Sequence, residues 1–200
     1  WYALQGHLRR RREWLFGRAA LKEAVRLWVS EQTGHLLHPT DILVGHDAQG
    51  APVVGGAWCE SLIAAPRVSL AHNAATCLAA ISAPGKPVGV DLEALGRIQQ
   101  PKLLVESLAP QEQPWAQGLS GPALDERLLR LWCAKEAAAK FLGTGLQGRP
   151  ADFVVVAADA ECERLLVQHG AATVETRVMQ DEARIIAVAG HELHRLEVHG

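Results

Sequence analysis

The chain has 200 residues, of which 48% are hydrophobic and 21% are charged, and its formal net charge is −2. This length and balance predict a folded globule of one domain or two small lobes and exclude a disordered chain. The near-neutral charge argues against nucleic acid as a partner, and no apolar run approaches the ~18 residues that a membrane span needs.

A long helix is predicted over residues 12–30, because apolar side chains recur there at helical spacing. The apolar stripe comprises Trp14, Leu15, Ala19, Leu21, Val25, Leu27 and Trp28. The segment "ILVGHDAQGAPVV" then predicts two strands joined by a turn at Asp47 and Gly50. "RVSLAHNAATCLAAIS" predicts two more strands, on either side of His72 and Asn73, and "GKPVGVDLE" predicts another.

The second half begins with residues 99–119, which read as helical but are interrupted by three prolines. Residues 122–142 form the clearest helix, with Pro122 near its start and Gly143 just past its end. Strands are predicted at "DFVVVAA", "AATVETRVM" and "RIIAVA".

The two long helices resemble each other, since "GRAALKEAVRLW" aligns with "RLWCAKEAAAKF" through a shared Lys-Glu-Ala. We therefore expect an α+β fold of two pseudo-symmetric lobes, each with a long helix packed on a small, mostly antiparallel sheet. The expected lobes are residues 1–97 and residues 98–200. A ligand site is expected at their junction.

Cysteine occurs at four scattered positions: Cys59, Cys77, Cys133 and Cys162. Because no CxxC motif occurs, we expect neither a zinc site nor a disulfide framework. Scattered thiols in apolar settings suit a reducing compartment, so we expect a cytoplasmic protein. His191 and His194 are three positions apart, which does not match HExxH, and we interpret them as part of a polar tail.

Two carboxylates stand in the apolar run "VGVDLEALGRI". Asp91 and Glu93 would point to the same side of a strand. Like charges so placed raise each other's pKa unless a positive charge lies between them, and Mg²⁺ favours such oxygen ligands. The alternative is a strand that ends here with both acids in water.

The helix carries a second group of charges, Lys135, Glu136 and Lys140. In one interpretation, Glu136 and Lys140 form a surface ion pair at i,i+4 spacing. In the other, Glu136 is a third metal ligand or a general base, and the two lysines bind phosphate oxygens.

These motifs together resemble the 4′-phosphopantetheinyl transferases of the pseudo-dimeric Sfp type. "VGVDLE" followed by "LWCAKEAAAKFLGTGL" carries the resemblance, and "VSLAHN", "DAQGAP" and "RREWLFGRAALKEAVR" agree with it. It runs from about residue 9 to residue 156. The sequences of the two helical segments most resemble those of transferase domains fused to iterative polyketide synthases.

The resemblance implies transfer of the phosphopantetheine arm of coenzyme A to a serine of an acyl or peptidyl carrier protein, as in holo-acyl-carrier-protein synthases. It implies Mg²⁺ bound by Asp91, Glu93 and Glu136, with Glu136 also the candidate base. Lys140 and Lys135 would contact phosphate oxygens.

The remaining implied contacts are to the 3′-phosphate of coenzyme A, from His72, Arg12 and Arg18. The alternatives are a structural histidine and a solvated N-terminal helix face. Glu112 is either an accessory metal ligand or a solvated loop acid. Leu103, Leu104, Leu108 and Trp115 are interpreted as a carrier-docking patch.

Two other functions fit the same residues. A Mg²⁺-dependent hydrolase could use the carboxylates on a pyrophosphate, although no second acidic cluster marks a two-metal site. A non-catalytic coenzyme A-binding module could retain the fold, although intact Asp91, Glu93, Glu136 and Lys140 argue against decay.

Overall fold

The computed structural model describes residues 2–73, 76–96, 101–190 and 195–199, and the side chains of these except 2–7, 9, 101–103 and 195–199. In chain order the helices and strands are α1 (Tyr2–Thr33), β1 (Leu43–His46), β2 (Pro52–Gly55), α2 (Trp58–Ser61), β3 (Arg67–His72), β4 (Cys77–Ser82), β5 (Gly89–Ala94), α3 (Pro101–Glu106), α4 (Gln113–Ala116), α5 (Gly121–Phe141), β6 (Val154–Ala158), β7 (Arg164–His169), β8 (Ala172–Gln180), β9 (Arg184–Ala189) and β10 (Arg195–His199). Helices combined with antiparallel sheets confirm the predicted α+β class.

The chain divides into two compact units, Trp1–Val88 with His191–Gly200, and Gly89–Gly190. The predicted boundary between residues 97 and 98 lies outside the described residues. The units divide earlier because β5 pairs along its whole length with β9 of the second unit. The last strand, β10, belongs to the first unit because it pairs with β4. The tail interpretation of His191 and His194 also falls outside the described residues.

The first unit packs α1 beside a three-stranded antiparallel sheet of order β10-β4-β3, and β1 and β2 form a separate hairpin. The predicted helix is confirmed and is longer at both ends. Its buried apolar side chains are Ala20, Leu21, Ala24, Val25, Trp28 and Val29. Trp14 and Leu15, which the apolar stripe included, are instead 54% and 49% exposed.

The predicted turn between β1 and β2 is confirmed. The Asp47 carboxylate accepts hydrogen bonds from the backbone N–H groups of Gln49 and Ala51, at 3.0 and 2.9 Å. Gly50 has φ +86°, a left-handed conformation that glycine adopts without steric cost. The turn therefore fixes the register in which His46 lies opposite Pro52.

The second unit packs α5 against a five-stranded antiparallel sheet of order β5-β9-β8-β7-β6. The predicted helix over 122–142 and the three predicted strands match α5, β6, β8 and β9. The strand β7 was not predicted. Its alternating burial shows the two-residue period of a half-buried strand, which its neighbouring acidic turn obscured in the sequence.

The three prolines of residues 99–119 start elements instead of breaking one helix. Pro101 begins α3, Pro110 begins a 3₁₀ turn, and Pro114 lies in the first turn of α4. Proline suits the first helical turn because its missing N–H would have no intrahelical partner there. The described part of the segment consequently consists of short helices and one 3₁₀ turn.

No helix of the described residues is long and apolar enough to cross a membrane. All four cysteines are free thiols, and Cys77, Cys133 and Cys162 are buried.

Gly89 allows β5 to lie directly against α5. A Cβ placed on Gly89 would collide with the Ala137 carbonyl oxygen and lie 2.5 Å from the Phe141 nitrogen, and both are backbone atoms. Backbone atoms cannot rotate away, so any side chain here forces the strand and the helix apart. The facing residues of α5 are also small, and Ala134, Ala137 and Ala138 are all buried.

We expect Gly89→Ala to destabilise the protein by about 1–3 kcal/mol, the usual cost of overpacking. Urea unfolding followed by circular dichroism measures this change. The matched control is Gly55→Ala, since Gly55 also lies in a strand but a Cβ there meets nothing within 4 Å. Equal stability of the two variants would show that the close approach of β5 to α5 is not a tight constraint.

Candidate functional site

Strand β5 presents Gly89, Asp91 and Glu93 on one face, because alternate residues of a strand share a side. Gly89 contacts α5, so this face is the one that meets the helix. Asp91 is buried and Glu93 is partly buried. The alternative of a strand that ends with both acids in water is wrong for this segment, since β5 continues to Ala94.

Helix α5 brings Glu136 and Lys140, one turn apart, to the same region. The Lys140 Nζ donates hydrogen bonds to Asp91 Oδ1 at 2.8 Å and to the Val90 carbonyl oxygen at 2.9 Å. Lys140 therefore pairs with a carboxylate of the strand, and no ion pair with Glu136 is found among the described residues. This contact ties the C-terminal end of α5 to the middle of β5.

The carboxylates lie close enough to perturb one another. Burial, then the negative charges of Asp91 and Glu136, raise the pKa of Glu93 to about 7, against the opposing effect of Lys140. Burial and then Asp91 also raise the pKa of Glu136. Asp91, Glu93 and Glu136 thus form one electrostatic cluster, and the ammonium group of Lys140 offsets part of its negative charge.

Asp91 retains unused binding capacity. Its Oδ2 is buried and has no hydrogen-bond partner among the described residues. The Cys133 thiol lies against the same carboxylate, and burial followed by the charges of Asp91 and Glu93 raises the pKa of that thiol well above its usual value. A hydrogen bond between the thiol and the Asp91 carboxylate contributes to this shift, but a thiol is only a weak donor.

These residues fit a hard divalent cation in their chemistry. Mg²⁺ prefers carboxylate oxygens, and a buried carboxylate oxygen without a partner is an expensive group that a cation would satisfy. Within the described part of the chain, however, no group of three or more Asp, Glu, His or Cys side chains is arranged so that it could hold a metal ion. Asp91 is turned toward Lys140 instead, so the ammonium group offsets part of the negative charge.

A separate pocket lies in the first unit, with a volume of about 250 Å³. Arg18 and His72, two of the residues predicted for the 3′-phosphate, line it together. Arg10 and His46 line it as well, and neither was predicted from the sequence to bind the 3′-phosphate. The Arg18 Nη1 donates to the Val44 carbonyl oxygen at 2.8 Å, which holds the guanidinium in the wall.

Arg12 is not among the residues that line this pocket. Its guanidinium lies 5.7 Å from the centre of the Phe16 ring, on an exposed part of α1. Because successive helical residues point about 100° apart, the pocket side of α1 is reached by Arg10 and Arg18 and not by Arg12.

Comparison with known families matches residues 87–189 to the 4′-phosphopantetheinyl transferase superfamily. The match covers more than half of the chain and contains both β5 and α5. The chain belongs to this superfamily. No curated protein matches it. The family match begins at residue 87 and so does not include the residues of the first-unit pocket. The assignments of Arg18 and His72 therefore depend on the geometry of that pocket alone.

Within this transferase, Lys135 is a structural residue. It is fully buried, and its Nζ donates to Glu112 Oε2 at 2.5 Å, to the Ser107 carbonyl oxygen at 3.0 Å and to the Pro150 carbonyl oxygen at 3.4 Å. All three donors of the ammonium group are used inside the second unit. The expected contact of Lys135 with a phosphate is therefore not supported, and Lys135 is left out of the proposed site.

Glu112 is not a solvated acid, because it is fully buried. Besides Lys135, it accepts hydrogen bonds from the backbone N–H of Ala109 at 2.6 Å and of Val155 at 2.7 Å. Because its carboxylate already accepts hydrogen bonds from these three internal donors, it has little capacity left for a metal. The residue connects α5, β6 and the loop before the Pro110 turn.

The expected docking patch consists largely of packing residues. Leu104, Leu108 and Trp115 are partly buried against the apolar core of the second unit, and the side chain of Leu103 lies outside the described ones. Substituting these residues would therefore change stability. Val105, 48% exposed, is a large apolar side chain that this segment presents to solvent.

The raised pKa of Glu93 predicts a pH-dependent stability. The carboxyl keeps its proton to about pH 7 in the folded protein, against 4.5 as its ordinary value. The folded state then binds more protons than the unfolded state across this interval, so the contribution of Glu93 to stability falls as pH rises from about 4.5 to about 7.

With a chelator present, we expect Glu93→Gln to remove this decline, which chemical unfolding at several pH values between 5 and 7 measures. The control is Glu175→Gln, an exposed carboxylate of the same unit, which should keep the wild-type slope. A Glu93→Gln protein that still loses stability as steeply as the wild type would contradict the assignment.

Proposed function

We propose that the protein transfers the 4′-phosphopantetheine arm of coenzyme A to a serine hydroxyl of an acyl or peptidyl carrier protein. The observation that carries this proposal is the cluster of Asp91, Glu93 and Glu136, joined from a strand and a helix and balanced by Lys140. Membership of the superfamily supports transfer of phosphopantetheine in general, and the cluster supplies the groups that this reaction needs.

The reaction is a displacement at phosphorus. The serine oxygen bonds to the phosphorus that carries the pantetheine arm, and the bond from that phosphorus to the bridging pyrophosphate oxygen breaks. The products are the holo-carrier protein and 3′,5′-ADP. The electron pair of the broken bond leaves with 3′,5′-ADP, so the main demands on the protein are neutralisation of phosphate charge, removal of the serine proton and alignment.

We assign removal of the serine proton to Glu136. Its raised pKa brings the carboxylate closer to the strength that a base working near neutral pH requires. It is partly buried and lies on α5, a helix held at its C-terminal end by Lys140. A general base needs such a fixed element because proton transfer depends on hydrogen-bond distance.

Asp91, Glu93 and Glu136 are the residues that would hold Mg²⁺. A bound Mg²⁺ ion would neutralise the pyrophosphate and favour departure of 3′,5′-ADP. The unpartnered Oδ2 of Asp91 supports this assignment. Lys140, whose ammonium group already compensates Asp91, would add positive charge for a phosphate oxygen.

In the first unit, we propose that Arg18 and His72 bind the 3′-phosphate of coenzyme A. Both line one pocket, and Arg10 takes the place that Arg12 was expected to fill.

The resemblance of α1 and α5 to domains of iterative polyketide synthases supports a carrier of a polyketide or fatty-acid synthase as the acceptor. The same resemblance and the shared Lys-Glu-Ala support pseudo-symmetry of the two units, and the buried free thiols suit a cytoplasmic setting.

The deciding experiment incubates the protein with coenzyme A, Mg²⁺ and a panel of apo-carrier proteins, and measures carrier mass. We expect at least one carrier to gain one phosphopantetheine. Release of 3′,5′-ADP without labelling of any carrier would instead identify a hydrolase. Binding of coenzyme A with neither product would identify a binding module.

Asp91→Asn should lower the rate of carrier labelling by about 100-fold or more, because it removes a charge from the site that stabilises the transition state. The variant should remain folded by circular dichroism. Glu182→Gln, a change to an exposed carboxylate of the same unit, serves as the control and should label normally. Wild-type labelling by Asp91→Asn would remove Asp91 from the site.

His72→Ala should weaken coenzyme A more than 3′-dephospho-coenzyme A, since only the first ligand carries the phosphate assigned to this histidine. Charge-assisted hydrogen bonds are worth about 1.5–3 kcal/mol, which corresponds to roughly 10- to 150-fold in KM. Steady-state kinetics with both substrates measures the difference. Equal losses for the two substrates would exclude the 3′-phosphate contact.

A further inference from the structure

We propose that Trp14 is the stacking platform for the nucleobase of the nucleotide that the first-unit pocket binds. The identity of that nucleotide as the adenosine 3′,5′-bisphosphate end of coenzyme A rests on the proposed function. The platform itself rests on the exposure of Trp14, its place in the pocket wall and its contact with Arg18.

Trp14 differs in its exposure from the two other tryptophans whose side chains are described in this unit. It is 54% exposed, whereas Trp28 and Trp58 are buried in the core at 2% and 4%. Helical spacing predicts Trp14 on the packed side of α1, yet more than half of this residue is exposed. An indole with this much free surface in a pocket wall is available to a ligand.

The pocket around Trp14 has the charge that a nucleotide needs. Arg10, Arg18, His46 and His72 line it, against the carboxylate of Glu13. A ligand that pairs with the basic side chains and stacks on the indole of Trp14 must carry both negative charge and a flat aromatic group. A phosphorylated nucleoside is such a ligand, because its phosphate pairs with arginine while its base presents a π face.

The size of the pocket limits which part of a ligand enters. Its volume of about 250 Å³ is below the ~300 Å³ at which pockets for drug-sized molecules begin. This volume suits a fragment of coenzyme A such as its nucleotide end, with the rest of the molecule outside the pocket.

The indole ring is held in place by Arg18. The guanidinium carbon of Arg18 lies 4.2 Å from the centre of the Trp14 ring, within the range of a cation–π contact. The hydrogen bond from Arg18 Nη1 to the Val44 carbonyl oxygen in turn fixes the guanidinium. Trp14 and Arg18 thus form one preorganised pair, in which the arginine faces a phosphate and the indole faces a base.

The expected magnitude follows from stacking of bases on aromatic side chains. Replacing such a side chain with alanine weakens binding by about 5- to 150-fold per base. Phenylalanine keeps a π face and should retain most of the affinity. Stacking does not read the identity of the base, so Trp14 should distinguish a nucleotide from an abasic ligand and not one base from another.

The test uses isothermal titration calorimetry of the full chain with two ligands, adenosine 3′,5′-bisphosphate and 1-deoxyribose 3,5-bisphosphate, which lacks the base. Trp14→Ala should lose affinity for the nucleotide by about 5- to 150-fold and leave affinity for the abasic ligand unchanged. Trp14→Phe should restore most of the loss. The matched control is Leu15→Ala, a neighbouring exposed residue that does not line the pocket, and it should bind both ligands normally.

Three results would overturn the proposal. The first is unchanged binding of the nucleotide by Trp14→Ala. The second is an equal loss for both ligands, which would mean that Trp14 only supports Arg18. The third is failure of the wild-type chain to bind adenosine 3′,5′-bisphosphate at all.

Carrier labelling by the wild-type chain separates this proposal from the proposed function. If the wild type labels a carrier and Trp14→Ala shows no base-selective loss, only the platform is wrong. If no carrier is labelled and the base-selective loss is found, the transferase assignment fails and the nucleotide platform stands.

Discussion

The close approach of β5 to α5 is the constraint on which the rest of the second unit depends. It requires a glycine at position 89 and small side chains on the facing helix, and it brings three carboxylates together. Like charges at such distances repel, so the arrangement is unfavourable without a compensating cation. Lys140 supplies part of that compensation by bridging Asp91 and the Val90 carbonyl oxygen. Under the proposed function, packing and catalysis would therefore depend on the same few residues.

This arrangement also explains why the two acids of β5 differ. Asp91 is the more deeply buried of the two and has its charge matched directly by Lys140, at 2.8 Å. Glu93 is farther along the strand, where burial and two negative neighbours outweigh the ammonium group and raise its pKa to about 7. Under the proposed function, Asp91 would bind the cation, while Glu93 exchanges a proton near neutral pH. Metal binding at this pair would then depend on pH.

The sequence predicted the long helices, most strands and the side on which Asp91 and Glu93 project, because hydrophobic period and alternation are local properties. It could not predict that Trp14 is exposed despite its place in the apolar stripe, since burial depends on which part of α1 the sheet covers. It could not separate Lys135 from Lys140 either. Both are lysines of one helix, and only the path of the loop that carries Glu112 decides which ammonium group is enclosed. The strand β10 was missed because its partner β4 is more than 100 residues away.

The buried pair of Glu112 and Lys135 has a consequence for how this chain can diverge. Replacing only one of the two residues leaves the charge of the other buried without a partner. Such a change lowers the free energy of unfolding by about 3–5 kcal/mol in comparable proteins. A double replacement by apolar residues of similar volume avoids that intermediate. Drift at these two positions should consequently be concerted, so that related chains carry both members of the pair or neither. Families that have lost both would have to anchor the loop preceding the Pro110 turn by other means.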